Sequence, residues 1–305
     1  MRHMRTGLAL GALAAVVAAG WLAAFGVFSH APPFSQSGTQ SKAADRTTTT
    51  TAPETTRLSD FNRDGITDLV VRDSAGRLWL CPGDGTGGFG ARTLMASGLN
   101  GMTAIVTPGD VTDDGNADVL ARARNGVLWL YQGTGASGVY PRRAIGSGWD
   151  AMDAITDAGD MNGDGRPDIV ARDKAGNLWL YADSGNAVFG TRTKISTGWN
   201  GLTIRGPGDI SGDGRADLLA LDSAGKLWLY PGDGTGGVAA RTPISSDWPP
   251  VTALATPGNL DGAGGNDLVA RDTEGRLWLY PGDNSGGFGA PHQIPGAWKD
   301  MTYIG

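Results

Sequence analysis

Four nine-residue stretches set oxygen-bearing side chains at positions 1, 3, 5 and 9. They are DFNRDGITD with Asp60, Asn62, Asp64 and Asp68; DVTDDGNAD with Asp110, Thr112, Asp114 and Asp118; DMNGDGRPD with Asp160, Asn162, Asp164 and Asp168; and DISGDGRAD with Asp209, Ser211, Asp213 and Asp217. Alternate side chains of such a loop turn inward, and the glycine at position 6 permits a sharp bend. The backbone carbonyl at position 7 (Ile66, Asn116, Arg166 or Arg215) can join them, and Asp at position 9 closes the set. Calcium takes about six to eight oxygens from carboxylates, carbonyls and water, so the spacing predicts about four bound calcium ions. Asp and Gly also make good polar turns. Three carboxylates converging in one loop, however, repel each other unless a cation neutralises them. An EF-hand is excluded, because position 12 is Val71, Ala121, Ala171, Ala220 or Ala270 where that loop needs glutamate. A fifth stretch, NLDGAGGND, keeps Asn259, Asp261 and Asp267 but has Ala263 at the centre, and is expected to bind metal poorly or not at all.

The elements that must position these loops are repeats. The loops start near 60, 110, 160, 209 and 259, at steps of 50, 50, 49 and 50 residues. Each is followed by one text, such as LVVRDSAGRLWLCPGD or LVARDTEGRLWLYPGD, and nothing from 58 to 305 lies outside the pattern. Each unit carries four strand-like runs; in the third they are DIVARD, NLWLY, TRTKIS and GLTIRG, with a KAGN turn whose Gly176 suits a tight hairpin. No stretch keeps a helical apolar period. Four strands per ~45–50-residue repeat describe a propeller blade. The first copy lacks the GMTAIVTPGD-type strand that leads into the other loops, and the last copy ends in it, as DMTYIG. The expected fold is therefore all-β, a five-bladed β-propeller closed by its C-terminal strand.

The loop pattern D-x-[DN]-x-D-G-x-x-D, opened by GD and followed by runs such as DLVVRD, resembles the FG-GAP/VCBS repeats of the integrin α N-terminal β-propeller superfamily. The resemblance covers all five units and implies a propeller with calcium in the loop between the first and second strands of a blade. Five short blades with repeated tryptophans are also similar to the tachylectin-type lectin propellers.

Composition agrees with a turn-rich β protein. The 50 glycines in 305 residues are more than twice the typical share of about 7%, without a collagen period. The net charge of −6, with no basic run in the folded part, argues against nucleic acid as a partner. Four dications would turn −6 into +2, so the acidity is mostly unfilled metal ligand. One cysteine, Cys81, permits no intrachain disulfide and no cysteine-based zinc site.

Residues 1–30 join a basic head, MRHMR, to an apolar run from Gly7 to Phe28 and read as a signal peptide or signal anchor. Residues 31–57 are Ser/Thr/Pro-rich and read as a disordered linker. The propeller would thus be secreted or held on the outer face of the cell membrane, touching the membrane only through its N-terminal segment, as a monomer.

Other motifs have plainer readings. GDGTGG at 83 and 232 opens no helix and reads as a glycine-rich loop. Trp79, Trp129, Trp179, Trp228 and Trp278 are expected to lie between blades. Trp149, Trp199, Trp248 and Trp298, with Leu99 in the odd position, read first as packed in the core and alternatively as sugar-stacking platforms near the ring surface. Arg72, Arg122, Arg172 and Arg271 read as interblade ion pairs or a solvated stripe. His292 belongs to no recurring motif, no G-x-S-x-G elbow occurs, and no polar cluster visibly breaks the repeat. The chain is therefore expected to be a non-catalytic binding or adhesion module for a glycan or an extracellular protein. A structural envelope propeller is the alternative, ahead of a calcium-dependent hydrolase or lyase.

Overall fold

The computed structural model describes residues 59–245 and 248–305. The segments expected to be signal and linker lie outside the described residues. Among the described residues no helix is long and apolar enough to cross a membrane.

Twenty strands form five four-stranded antiparallel sheets. The first blade holds β1 (Leu69–Asp73), β2 (Leu78–Cys81) and β3 (Thr93–Ala96). The second has β4 (Met102–Gly109), β5 (Asp118–Ala123), β6 (Leu128–Tyr131) and β7 (Arg143–Gly146), and the third β8 (Met152–Gly159), β9 (Asp168–Asp173), β10 (Leu178–Tyr181) and β11 (Thr193–Ser196). The fourth has β12 (Thr203–Gly208), β13 (Asp217–Leu221), β14 (Leu227–Tyr230) and β15 (Thr242–Ser245). The fifth has β16 (Val251–Gly258), β17 (Gly265–Asp272), β18 (Leu277–Gly282) and β19 (His292–Ile294), and β20 (Met301–Ile304) returns to the first. The fourth run of each repeat thus serves the following blade.

Closure is explicit. β20 pairs antiparallel with β1, Val71 opposite Ile304 and Arg72 opposite Tyr303. Gly305 completes the ladder, exchanging hydrogen bonds with Val70 at 2.7 and 3.0 Å. Every blade is then four-stranded, and the inner edge of the first blade is covered.

The strands form because their apolar residues alternate. In the LWL strands both leucines are buried and the tryptophan between them is half-buried. The hairpin turn before them needs glycine: Gly176 sits at φ 80°, and a Cβ there would come within 2.6 Å of the Asn200 side chain. The core lies between blades. Phe61, Val70, Leu78 and Leu80 of the first blade, for example, meet Ile105, Val119, Ala121 and Tyr131 of the second.

Candidate functional site

Each acidic loop is anchored by its second residue. Phe61, Val111, Met161, Ile210 and Leu260 are all buried, and each carbonyl accepts an amide from the glycine-rich loop of the next blade: Ser137, Ala187, Gly236, Gly286 and Gly87 respectively. All five of those donors have positive φ, from 55° at Ala187 to 94° at Gly236. That conformation comes cheaply only to glycine, which gives the GDGTGG loops a structural use as interblade ties.

Position 9 is a clamp. Asp68 Oδ2 accepts the Phe61 amide at 2.9 Å and Oδ1 accepts the Gly83 amide at 3.0 Å. Asp118, Asp168, Asp217 and Asp267 repeat this pair of bonds. All five are fully buried. Burial pushes Asp68, Asp118 and Asp168 up to about 7, against the backbone amides that pull them down, and the charges at positions 1 and 5 of each loop push the same way. Asp217 and Asp267 are raised too, mainly by burial.

Positions 1 and 5 curl the loop around itself. Oδ2 of Asp60, Asp110, Asp160 and Asp209 accepts the amide of the position-6 glycine at 2.6–3.0 Å. Asp64, Asp114, Asp164 and Asp213 accept the position-7 amide at 2.8–2.9 Å. Asn62 and Asn162 accept the position-5 amide at 2.8 Å, while Thr112 and Ser211 contact the position-1 aspartate.

The donor set fits a hard cation. It is all oxygen, it includes a buried carboxylate pressed by two others, and Asp60 Oδ1 is buried without any hydrogen-bond partner. Asn116 Oδ1 and, in the fifth loop, Asn259 Oδ1 are orphaned likewise. An unpartnered buried acceptor costs about 1–3 kcal/mol, which an ion would offset. Among the described residues no three Asp, Glu, His or Cys side chains converge to metal-holding distance.

The tryptophans ahead of the inner strands are packed, and the LWL tryptophans, of which Trp79, Trp129 and Trp179 lie against interblade clusters, are less deeply buried. Trp149, Trp199, Trp248 and Trp298 are at most 8% exposed. The first three stack on Tyr181, Tyr230 and Tyr280 of the following blade at 4.3–4.5 Å between centroids, and Trp298 meets Phe89 at 5.7 Å. Rings so enclosed are no platform for a sugar. Trp79, Trp129, Trp179, Trp228 and Trp278 are instead half-buried and covered by cations, such as Arg192 over Trp179 at 4.1 Å and Arg241 over Trp228 at 3.9 Å. Four of their indoles donate to strand-end aspartates at 2.8–3.0 Å: Asp73, Asp173, Asp222 and Asp272. Trp199→Ala should cost about 3–5 kcal/mol, and Trp179→Ala only about 1–2 kcal/mol through its lost cation contact and indole bond. Urea unfolding of the two variants separates these outcomes.

The arginine row also departs from expectation. Arg72, Arg122, Arg172 and Arg271 reach across the blade boundary with Nη1 and donate to two backbone carbonyls each: Leu99 and Met102, Trp149 and Met152, Trp199 and Leu202, Trp298 and Met301. Among the described residues only Arg172 adds a carboxylate, Asp153 at 2.7 Å. These are staples made with peptide carbonyls, not ion pairs. Cys81 is buried, and burial pushes its thiol up to about 11.

A polar cluster at the ring axis does break the repeat, contrary to the sequence reading. Asp157, Arg205 and Tyr303 line one cavity there. They come from three different repeats, each as a single substitution with no motif around it.

A closed ring of five blades, each with an acidic loop entering its second strand, defines a repeat-built β-propeller. The FG-GAP-like repeat matches residues 60–121, 110–171 and 160–220, more than half of the chain, and the protein belongs to that family. No curated protein matches the sequence. Similar solved structures include an Agrocybe aegerita lectin recognising non-reducing terminal N-acetylglucosamine, at 20% identity and TM-score 0.48, covering 77% of this chain and 64% of that one. The BP39L lectin of Burkholderia pseudomallei gives 16% identity and TM-score 0.48, over 78% of this chain and 68% of that one. At these values the likeness carries nothing about ligands.

Proposed function

We propose that the protein is an exported, calcium-stabilised propeller that binds a glycan, or failing that an extracellular protein, without chemical turnover. The observation that carries the metal is the buried, unpartnered Asp60 Oδ1 beside a carboxyl that burial holds near 7. Positions 1, 3, 5 and 9 of the first four loops would supply side-chain oxygens and position 7 a carbonyl. The ion's contribution is to neutralise the converging carboxylates and lock each loop against its blade. Loop five keeps its Asp267 clamp but lacks the central carboxylate, so it holds its shape without an ion.

The ligand surface is supported by a cleft of about 490 Å³ lined by Met95, Ser97, Tyr131, Val139, Tyr140 and Arg142. Tyr140 is 54% exposed there. A flat apolar ring with a hydroxyl, beside a guanidinium, suits the face of a pyranose. A glycan array probed with the full-length protein in calcium should show saturable binding to one group of sugars. Tyr140→Ala should weaken that binding at least about tenfold, some 1.4 kcal/mol, with the melting temperature unchanged. Binding to no sugar would overturn the glycan reading and leave a protein ligand.

A further inference from the structure

At the axis, a cavity of about 320 Å³ is lined by the inner strands β4, β8, β12, β16 and β20. Register with each neighbouring second strand puts Tyr303 in the row of Ala104, Ala154, Thr203 and Ala253, and Arg205 in the row of Val106, Thr156 and Ala255. Asp157 precedes Gly159 by two residues, where the other strands have Thr107, Gly206 and Thr256. Small or neutral residues have thus given way to an acid, a base and a phenol in one place.

The cluster touches all five blades. Tyr303 of the first and Thr107 of the second both line the cavity. Asp157 belongs to the third and Arg205 to the fourth, and Arg205 Nε donates to the Leu254 carbonyl of the fifth at 2.6 Å. Part of this is structural. Blade four has Leu221 where the others have the stapling arginine, and Arg205 replaces the missing tie.

That duty leaves groups unused. Arg205 donates through Nε and, to the Ile204 carbonyl, through Nη1, which leaves Nη2 without a partner among the described residues. Asp157 Oδ1 accepts from Thr156 Oγ1 at 3.1 Å, and Oδ2 accepts nothing among the described residues. The two opposite charges form no ion pair with each other there. Asp157, Arg205 and Tyr303 are each only partly buried although they sit at the centre of the ring, because the cavity keeps them accessible. Opposite charges withdrawn from bulk water and held apart are costly unless something joins them. The volume lies at the lower end of the ~300–1,000 Å³ typical of ligand pockets.

We propose that the axial cavity binds a small zwitterion of the α-amino-acid type, its carboxylate on Arg205 and its ammonium on Asp157. The Tyr303 hydroxyl and the Thr107 and Thr256 side chains offer neutral hydrogen bonds to the remainder. Burial pushes the Asp157 carboxyl up to about 6 while the Arg205 charge pulls it down, so an ammonium beside it would hold it ionised at neutral pH. This site does not depend on the loops taking calcium.

Titration calorimetry of the full-length protein tests it, with L-serine as the probe and acetate and methylammonium as single-charge controls. L-serine should fill one saturable site, and each control should bind at least about tenfold more weakly at equal ionic strength. Asp157→Asn keeps the shape and removes the charge, and Arg205→Lys keeps the charge and removes the fork. Each should weaken L-serine at least about tenfold. If Arg205→Lys fails to fold, the selectivity of the unaltered protein and the Asp157→Asn result decide. No saturable binding of L-serine, glycine or L-alanine up to about 10 mM would overturn the proposal. So would acetate binding as tightly as L-serine, or an Asp157→Asn protein that binds unchanged.

Discussion

Removing calcium from the full-length protein is expected to lower its melting temperature by about 10–20 °C. Extracellular calcium modules bind with dissociation constants of roughly 10⁻⁴–10⁻³ M. At ~1 mM calcium and a ~0.1 mM constant, each site stabilises the folded state by about 1.4 kcal/mol. Four sites contribute about 5–6 kcal/mol, comparable with the ~5–15 kcal/mol of a typical domain. The structural cause is local: without the ion, Asp60, Asp64 and Asp68 press on one another, and Asp60 Oδ1 stays buried and unpartnered. Asp164→Ala should remove one ion and about a quarter of the effect, whereas Ala263→Asp in the fifth loop should add an ion. A melting curve indifferent to chelator would reduce the loops to turns.

Deleting residues 300–305 is expected to abolish cooperative unfolding. The cut strips β20 from β1, exposes a row of unpaired amides and carbonyls, and removes Met301 and Ile304 from the core between the fifth and first blades. Losing two such buried side chains costs about 2–5 kcal/mol each, before the open edge invites pairing with other chains. The Arg271 staple loses its Met301 partner as well. Circular dichroism should show a broad, weak transition, and light scattering should show association. An unchanged, sharp transition would contradict a ring held shut by its last strand.

Much of the fold was legible because each blade repeats the same local instructions. Gly176 and its counterparts mark the hairpin, the LWL runs mark a strand, and DMTYIG matches a strand missing from the first copy. The acidic spacing was equally plain. The apolar residue at position 2, Phe61 or Val111 for example, was just as readable, since every loop has one. What sequence could not show is which way a side chain faces between blades. Trp149 and Trp199 follow the left-handed glycines Gly148 and Gly198, the turn at Trp149 being a short 3₁₀ segment that carries the ring inward. The LWL tryptophans lie mid-strand with an arginine of the same blade above them. The arginine staples escaped because their acceptors are peptide carbonyls 27 and 30 residues ahead. The axial cluster escaped because Asp157, Arg205 and Tyr303 meet only once the ring has closed. Its sole trace in the sequence is that each breaks its own row.

The central claim is that acidic loops one to four are calcium sites in a closed propeller. Equilibrium dialysis of the full-length protein against millimolar calcium, with the bound metal counted by mass spectrometry, tests it most directly. The account predicts close to four ions per chain, about one for each intact loop, falling by one in Asp164→Ala. Fewer than about three ions per chain at calcium concentrations raised well above the ~10⁻⁴–10⁻³ M range of such sites would contradict it.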